Sequence, residues 1–257
     1  MTIGIFSDVH ANLPALEAVL ADIDRRAIDM LFCLGDLVGY APWPNEVVDA
    51  VRRRRIPTIA GNYDEGVGLN SDDCGCAYRT AAEKELGRQS IGFTNNAVTD
   101  ATRAYLRGLP GEMRLGFGEG SGRRRLLMVH GSPRRINEYL FEDRPDQSFH
   151  RMMEEAAADV MLFGHTHRPY HKVLPYQANG VTAYRHAINT GSAGKPKDGD
   201  PRACYVILQL DAEALASGGE GLDVEFVRVE YDVEKAAGAI EAGPLPDAFA
   251  EMLRNAG

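Results

Sequence analysis

The sequence predicts an α/β protein with a parallel first half and a strand-rich second half. Over residues 1–64, short apolar runs alternate with amphipathic segments in the order strand, helix, strand, helix, strand. That order builds a parallel sheet joined by crossover helices. Beyond residue 170 helical spacing gives way to consecutive strand-like runs, the pattern of antiparallel pairing. A third observation is chemical. The apolar runs repeatedly end on Gly, Asp, Asn or His, and in open α/β sheets ligands bind at the carboxyl ends of strands.

Ile3-Gly4-Ile5-Phe6 reads as a buried strand that ends at Ser7-Asp8-Val9-His10. Asp8 and His10 are two apart, so on extended backbone they point to one face. Asn12 is a helix N-cap with Pro14 in the first turn, and Leu13, Leu16, Leu20 and Ile23 give that helix one apolar face. A second strand, Asp29 to Leu34, closes on Gly35-Asp36. A second helix spans Pro44 to Arg55 with Val47, Val48 and Val51 inward, and a third strand, Ile56 to Ala60, closes on Gly61-Asn62-Tyr63-Asp64.

Residues 65–110 differ in character. Gly66 to Gly75 is dense in Gly, Asn and Asp and predicts a loop. Helices are expected over Ala77 to Gly87 and Thr99 to Arg107, which makes this region an insertion or cap within one domain spanning residues 1–257. Strands at Met113 to Phe117 and Leu126 to Val129 flank a turn at Gly118 to Gly122, and the second ends in His130-Gly131. A helix over Gln147 to Ala157 precedes the strand Val160 to Phe163, which ends in Gly164-His165-Thr166-His167. Strands then follow at His171 to Leu174, Val181 to Ile188, Ala203 to Leu210 and Leu222 to Glu230, and two short helices start at Val233 and Pro246.

The net charge of −9 argues against a groove for extended nucleic acid, because phosphate backbones attract basic surfaces. Small anionic substrates stay open, since bound cations reverse the local sign. No secretory leader or membrane span is expected. Cys33 and Cys204 fall in strand-like runs as core residues, while Cys74-Gly-Cys76 reads as two loop thiols. A cytoplasmic location fits this usage.

Five strand ends thus carry Asp8 and His10, Asp36, Asn62, His130, and His165 and His167. All are oxygen or imidazole donors. Each has a structural reading of its own: Asp36 or Asn62 as a turn cap, His130 as a core histidine, His165 and His167 as turn residues. Their shared placement at one sheet edge favours a metal site.

These motifs resemble the five ordered motifs of the calcineurin-like metallophosphoesterases: Asp8-x-His10, Gly35-Asp36, Gly61-Asn62-x-Asp64, His130-Gly131 and Gly164-His165-Thr166-His167. Asn189-Thr190-Gly191-Ser192 is similar to the family's Asn-Pro-Gly-Ser turn, and Gly35 to Tyr40 is similar to the compact bacterial and archaeal phosphodiesterase branch. The resemblance implies a four-layer α/β/β/α sandwich with two mixed β-sheets. It also implies two divalent transition-metal ions, one held by Asp8, His10, Asp36 and His167 and the other by Asp36, Asn62, His130 and His165, with Asp36 bridging. Mixed donors suit Mn, Fe, Co, Ni or Zn. A shared water, acidified to near neutrality, would attack phosphorus. Asp36, Asn62 and His130 would then surround the reacting group.

Tyr63 stands where the family often has histidine, which puts the usual dyad with Asp64 in doubt. A phenol donates a hydrogen bond but is a poorer acid than imidazolium at neutral pH; the other reading of Tyr63 is packing over the site. A small phosphate ester is the expected substrate, a phosphodiester ahead of a phosphomonoester. The alternative is a catalytically weak or inactive scaffold of the same fold used for protein interaction. A protein phosphatase is a third reading. Arg134 and Arg135, Arg52 to Arg55, Arg123 to Arg125, His150, His171 and His186 are read as surface or structural residues.

Overall fold

The computed structural model describes residues 1–78, 80–118, 123–178, 180–211 and 221–257. The turn expected at Gly118 to Gly122 lies outside these from residue 119 onward. Strand β1 (Thr2–Phe6) leads into helix α1 (Leu13–Ile23), where the Asn12 side chain accepts from the Ala15 N–H, as expected of an N-cap. Strand β2 (Met30–Cys33) and helix α2 (Pro44–Arg53) follow. Three helices come next, α3 (Asn62–Gly68), α4 (Ala81–Ala97) and α5 (Asp100–Arg107). Then come β3 (Glu112–Phe117), β4 (Arg124–Val129), α6 (Asp146–Glu155), β5 (Val160–Phe163), β6 (Tyr170–Ala178), β7 (Val181–Asn189), β8 (Ala203–Leu210) and β9 (Leu222–Val229), with α7 (Val233–Glu241) and α8 (Ala248–Asn255) at the end.

Two mixed sheets result, one in the order β2-β1-β8-β9 and the other β3-β4-β5-β7-β6. The alternating direction of side chains along each strand turns them into layers. Ile3, Ile5, Leu126, Met128, Val160, Leu162, Val206 and Leu208 meet between the sheets. Leu127, Val129, Met161 and Phe163 point the other way and pack under Phe149, Met152 and Met153 of α6. On the far side, Leu16, Val19 and Leu20 of α1 cover Phe6, Cys33, Tyr205 and Ile207. β4 and β5 are therefore apolar on both faces, as strands buried on both sides must be. The expected four-layer arrangement of two mixed sheets is what forms.

Three expectations need correction. Residues Ile56 to Ala60 form no strand; Thr58 alone makes a parallel bridge, to Cys33. Pro57 lacks the N–H a ladder needs, and the Thr58 hydroxyl turns back onto the Ile56 carbonyl. The second half is not a purely antiparallel unit either. β6 and β7 pair as an antiparallel hairpin, yet β7 runs parallel to β5, and β8 crosses to the first sheet to lie antiparallel to β1. Finally, the helix expected over Ala77 to Gly87 starts at Ala81, capped by Thr80, and runs on to Ala97. Gly87 does not end it. A Cβ there would lie 1.9 Å from the Tyr78 hydroxyl, so the glycine lets Tyr78 lie against the helix.

Candidate metal centre

The ends of β1, β2, β4 and β5 and the first turn of α3 meet at one edge of the sandwich. They bring together all seven residues singled out as ligands, each no more than 3% exposed. Seven buried polar side chains in one place demand partners. The backbone is bent to deliver them. Asp8, His10, Asp36, His165 and His167 all have positive φ, between 50° and 64°, a conformation that costs non-glycine residues of order 1 kcal/mol each. Hydrogen bonds from the N–H groups of Asp8, His10 and Ala11 to the carbonyls of Gly35, Asp36 and Leu37 (2.7–2.9 Å) lock the two strand ends together.

Nδ1 of His10, His130 and His167 donates to the carbonyls of Val38 (3.0 Å), Leu34 (2.9 Å) and Lys195 (2.5 Å). A carbonyl only accepts, so this assigns the tautomer and turns each Nε2 toward the centre. There His10 Nε2 and His167 Nε2 lie 3.1 Å apart, and His167 Nε2 lies 3.2 Å from Asp8 Oδ1. Asp36 Oδ2 sits between two rings, 3.6 Å from His10 Nε2 and 3.4 Å from His130 Nε2. Asn62 donates from Nδ2 to the Cys74 carbonyl and so presents Oδ1 to His130 Nε2 at 3.1 Å. Asp8 Oδ1 and His165 Nε2 are buried without a hydrogen-bond partner.

The electrostatics set His130 apart from the other three histidines. Burial pushes His10 down to about 4 and both His165 and His167 down to about 3. Burial also opposes charge on His130, but the Asp36 and Asp8 carboxylates outweigh it and hold that imidazole up to about 10. Burial works against ionised Asp8 and Asp36 too, and the surrounding histidines overcome it, so both stay below the usual carboxylate range. Two ionised carboxylates, the orphaned Asp8 Oδ1 and His165 Nε2, and the neutral imidazoles of His10, His165 and His167 are the donor set a divalent cation takes, and a cation bound beside His130 would displace its Nε2 proton. The side chains fall into two such groups: Asp8, His10 and His167, and Asp36, His130 and His165.

Asp64 is differently placed. Its two oxygens accept from the N–H groups of Leu37 (2.9 Å) and Gly61 (3.0 Å), so it ties the Asp36 loop to the start of α3. Burial and then the charge on Asp36 push its pKa up to about 7. Tyr63 is buried edge-on to His10, with ring centroids 5.5 Å apart, and its hydroxyl has no hydrogen-bond partner. Burial holds that phenol well above its ordinary range.

A cavity of about 470 Å³ opens from the centre, walled by Tyr40, Tyr63, Tyr78, Tyr139, Phe141 and Phe249 among others. Cys76 reaches it, with Sγ 3.3 Å from Cys74 Sγ; all four cysteines are free. Lys195 and Lys197 also line it, and sequence reasoning missed both. Their signal was available. They follow Gly191-Ser192-Ala193-Gly194 directly after an apolar run, the same strand-end position as the other site residues. Arg134 pairs instead with Glu138, and His171 with His186, outside the centre.

This fold and this cluster together define a metallophosphoesterase-type centre. The chain belongs to the calcineurin-like phosphoesterase superfamily, whose domain matches residues 1–213. It is 33% identical over 264 residues to the uncharacterized protein MJ0912 of Methanocaldococcus jannaschii, covering 98% of this chain and 96% of that one. Among solved structures it is similar to a metallophosphoesterase from Sphaerobacter thermophilus, at 30% identity, TM-score 0.74 and full coverage of both chains. The hypothetical protein PH1004 of Pyrococcus horikoshii shares the fold, at 21% identity and TM-score 0.76, over 100% of this chain and 98% of that one. Membership of this family points to a hydrolase acting on phosphate esters. No described helix is long and apolar enough to cross a membrane.

Proposed function

We propose that the protein is a dinuclear metal-dependent phosphoesterase that prefers small phosphodiesters to phosphomonoesters. The observation that carries this reading is the convergence of seven buried oxygen and imidazole side chains at one sheet edge, with Asp8 Oδ1 and His165 Nε2 left without hydrogen-bond partners. One cation is assigned to Asp8, His10, Asp36 and His167, the other to Asp36, Asn62, His130 and His165. Asp36 is the bridge, a role its Oδ2 supports by standing within 3.6 Å of histidines from both groups. The donor chemistry suits Mn, Fe, Co, Ni or Zn.

When bound there, such ions supply an acidified water and offset the charge on the phosphoryl oxygens. The chain's own residues prepare the site. The carbonyls of Val38, Leu34 and Lys195 hold three rings in register, and Asp64 holds the Asp36 and Asn62 backbones together. Tyr63 keeps its proton and is placed as a hydrogen-bond donor. A phenol in place of imidazole favours esters with good leaving groups, hence diesters of that kind.

We take residues 1–257 as one domain with 65–110 as a cap. Cys76, Tyr78 and Leu86 from that region supply part of the cavity wall. A cavity of this size suits a small ester rather than extended nucleic acid, and free thiols suit the cytoplasm. The test is metal analysis of reconstituted protein, followed by turnover of bis-aryl and mono-aryl phosphates. Two ions per chain and faster diester turnover are expected. Faster monoester turnover would reverse the preference, and two bound ions without turnover of either ester would favour the scaffold alternative.

A further inference from the structure

The cavity wall carries two lysines that the proposed metal chemistry does not use. The loop after β7 is built to put them there. Gly194 packs so tightly that a Cβ would lie 1.7 Å from the Val9 carbonyl oxygen. Ser192 Oγ donates to the Asp8 carbonyl (2.7 Å) and accepts from the Lys195 N–H (2.8 Å). The Lys195 carbonyl in turn receives His167 Nδ1. Lys195 is thereby held beside the metal ligands, only 4% exposed, in the wall of the cavity.

Its ammonium has no counter-charge. Its Nζ stands over the face of Tyr40, 4.9 Å from the ring centroid. Among the described residues no carboxylate lies within ion-pair distance of Lys195 or of the half-buried Lys197. Elsewhere the chain pairs such groups: Lys172 with Asp146, Arg228 with Asp198, Arg254 with Glu234. A buried ammonium without an ion pair is costly, and an anion entering the cavity would offset the charge of both lysines, with Asp36 and Glu83 the carboxylates on the same wall. Arg168, whose Nε donates to the Lys197 carbonyl (2.9 Å), adds a third cation to the same wall.

If the phosphoesterase reading holds, one phosphoryl group does not account for them. Two divalent cations would be matched by the Asp8 and Asp36 carboxylates, a singly charged phosphoryl group and a hydroxide. The lysines are surplus to that balance. We propose that Lys195 and Lys197, with Arg168, form a second anion subsite, and that the substrate is a phosphate ester carrying a further phosphoryl group beyond the one attacked.

The inference rests on the phosphoesterase reading, and binding rather than turnover tests it. Metal-loaded protein is titrated by calorimetry with propylphosphonate and with propane-1,3-diphosphonate, at constant free metal. The diphosphonate is expected to bind at least about tenfold more tightly, the worth of one charge-assisted contact. In Lys195→Met/Lys197→Met the ratio falls toward one. Lys197→Met alone, at a half-buried position, lowers it in part and serves if the double variant does not fold. A ratio near one in the wild type, or a ratio that survives in the variants, overturns the subsite alone. If protein carrying two metal ions binds neither ligand, the phosphoesterase reading falls and the subsite with it.

Discussion

His10 Nε2 and His167 Nε2 face each other at 3.1 Å, each ring fixed by a carbonyl on its Nδ1. Both nitrogens present lone pairs, and burial keeps both rings from protonating near neutral pH. A cation between them relieves that repulsion. Metal removal by chelation is therefore expected to lower the melting temperature, and metal return to restore it. At free metal 100 times its dissociation constant, the contribution is about 2.7 kcal/mol. Scanning calorimetry with and without chelator measures it, and identical melting in both conditions would count against metal binding at this pair.

Asp36 is the second point of leverage. Its Oδ1 accepts from the Tyr63 N–H at 2.8 Å while Oδ2 faces His10 and His130. Asp36→Asn keeps the shape and removes the charge. The expected result is fewer than two metals per chain and a loss of kcat/KM beyond the roughly 10–100-fold typical of outer-shell partners. Elemental analysis alongside kinetics decides it; a fully loaded, fully active variant would end the bridging assignment.

Tyr63 separates packing from chemistry. Its hydroxyl is buried and unpartnered, so Tyr63→Phe removes no protein hydrogen bond and should leave the melting temperature unchanged or slightly higher. If the phenol donates to the ester, turnover of a diester drops by about tenfold, the value of one hydrogen bond. Unchanged kcat and KM would assign the ring to packing alone.

Much of this site was legible because its residues sit where apolar runs stop. Asp8, Asp36, His130 and His165 each follow a strand within three residues, and that adjacency survives in one dimension. The left-handed backbone at five of the ligands was not legible, because it depends on neighbouring strand ends hydrogen-bonding to one another. The helix begun by Asn62 was hidden too. Its N-terminal hydrogen bond comes from Asp64, which the sequence presents equally well as a catalytic partner. Pairing of β8 with β1, about 200 residues away in the chain, has no local signature. Lys195 and Lys197 follow an apolar run as the other site residues do, but only the close approach of Gly194 to the Val9 carbonyl shows that their loop turns into the cavity.

His186 offers a pH test away from the centre. Burial, then the neighbouring His171, pushes it down to about 4, and its Nδ1 lies 3.0 Å from His171 Nε2. Below pH 6.5 the unfolded chain binds a proton that the folded one refuses. The stabilisation is thus complete above about pH 6.5 and is lost as pH falls toward 4, by at most about 3 kcal/mol. His10, His165 and His167 push stability the same way, so the measurement is a difference. His186→Asn should flatten the fall in melting temperature between pH 6.5 and 4 relative to wild type. Parallel curves for the two proteins would remove His186 from the account.

Gly164 tests whether the centre depends on close approach of backbone to ligand. A Cβ at this position would stand 2.3 Å from Asp8 Oδ2 and 2.4 Å from Ser7 Oγ. The Asp8 carboxylate and the Gly164 backbone are both held in place. Asp8 Oδ2 accepts from the His165 N–H at 3.1 Å, and the Gly164 carbonyl is held by Asn189 Nδ2 at 2.8 Å. Gly164→Ala must therefore push Asp8 away from the His167 ring or shift the turn that carries His165 and His167. The first displacement spoils the group of Asp8, His10 and His167, and the second disturbs both groups, since His165 and His167 fall one in each. The expected outcome is a stability loss of about 1–3 kcal/mol together with weaker metal binding, read by denaturant titration of the chelated protein and by metal titration of the folded one. Gly111→Ala, where a Cβ would meet no atom within 4 Å and where φ, as at Gly164, lies outside the left-handed region, is the control: it adds the methyl without the clash. Metal affinity should fall in the first variant and hold in the second, and equal affinity in both would show that the centre tolerates movement of its Asp8 and His165 strand ends.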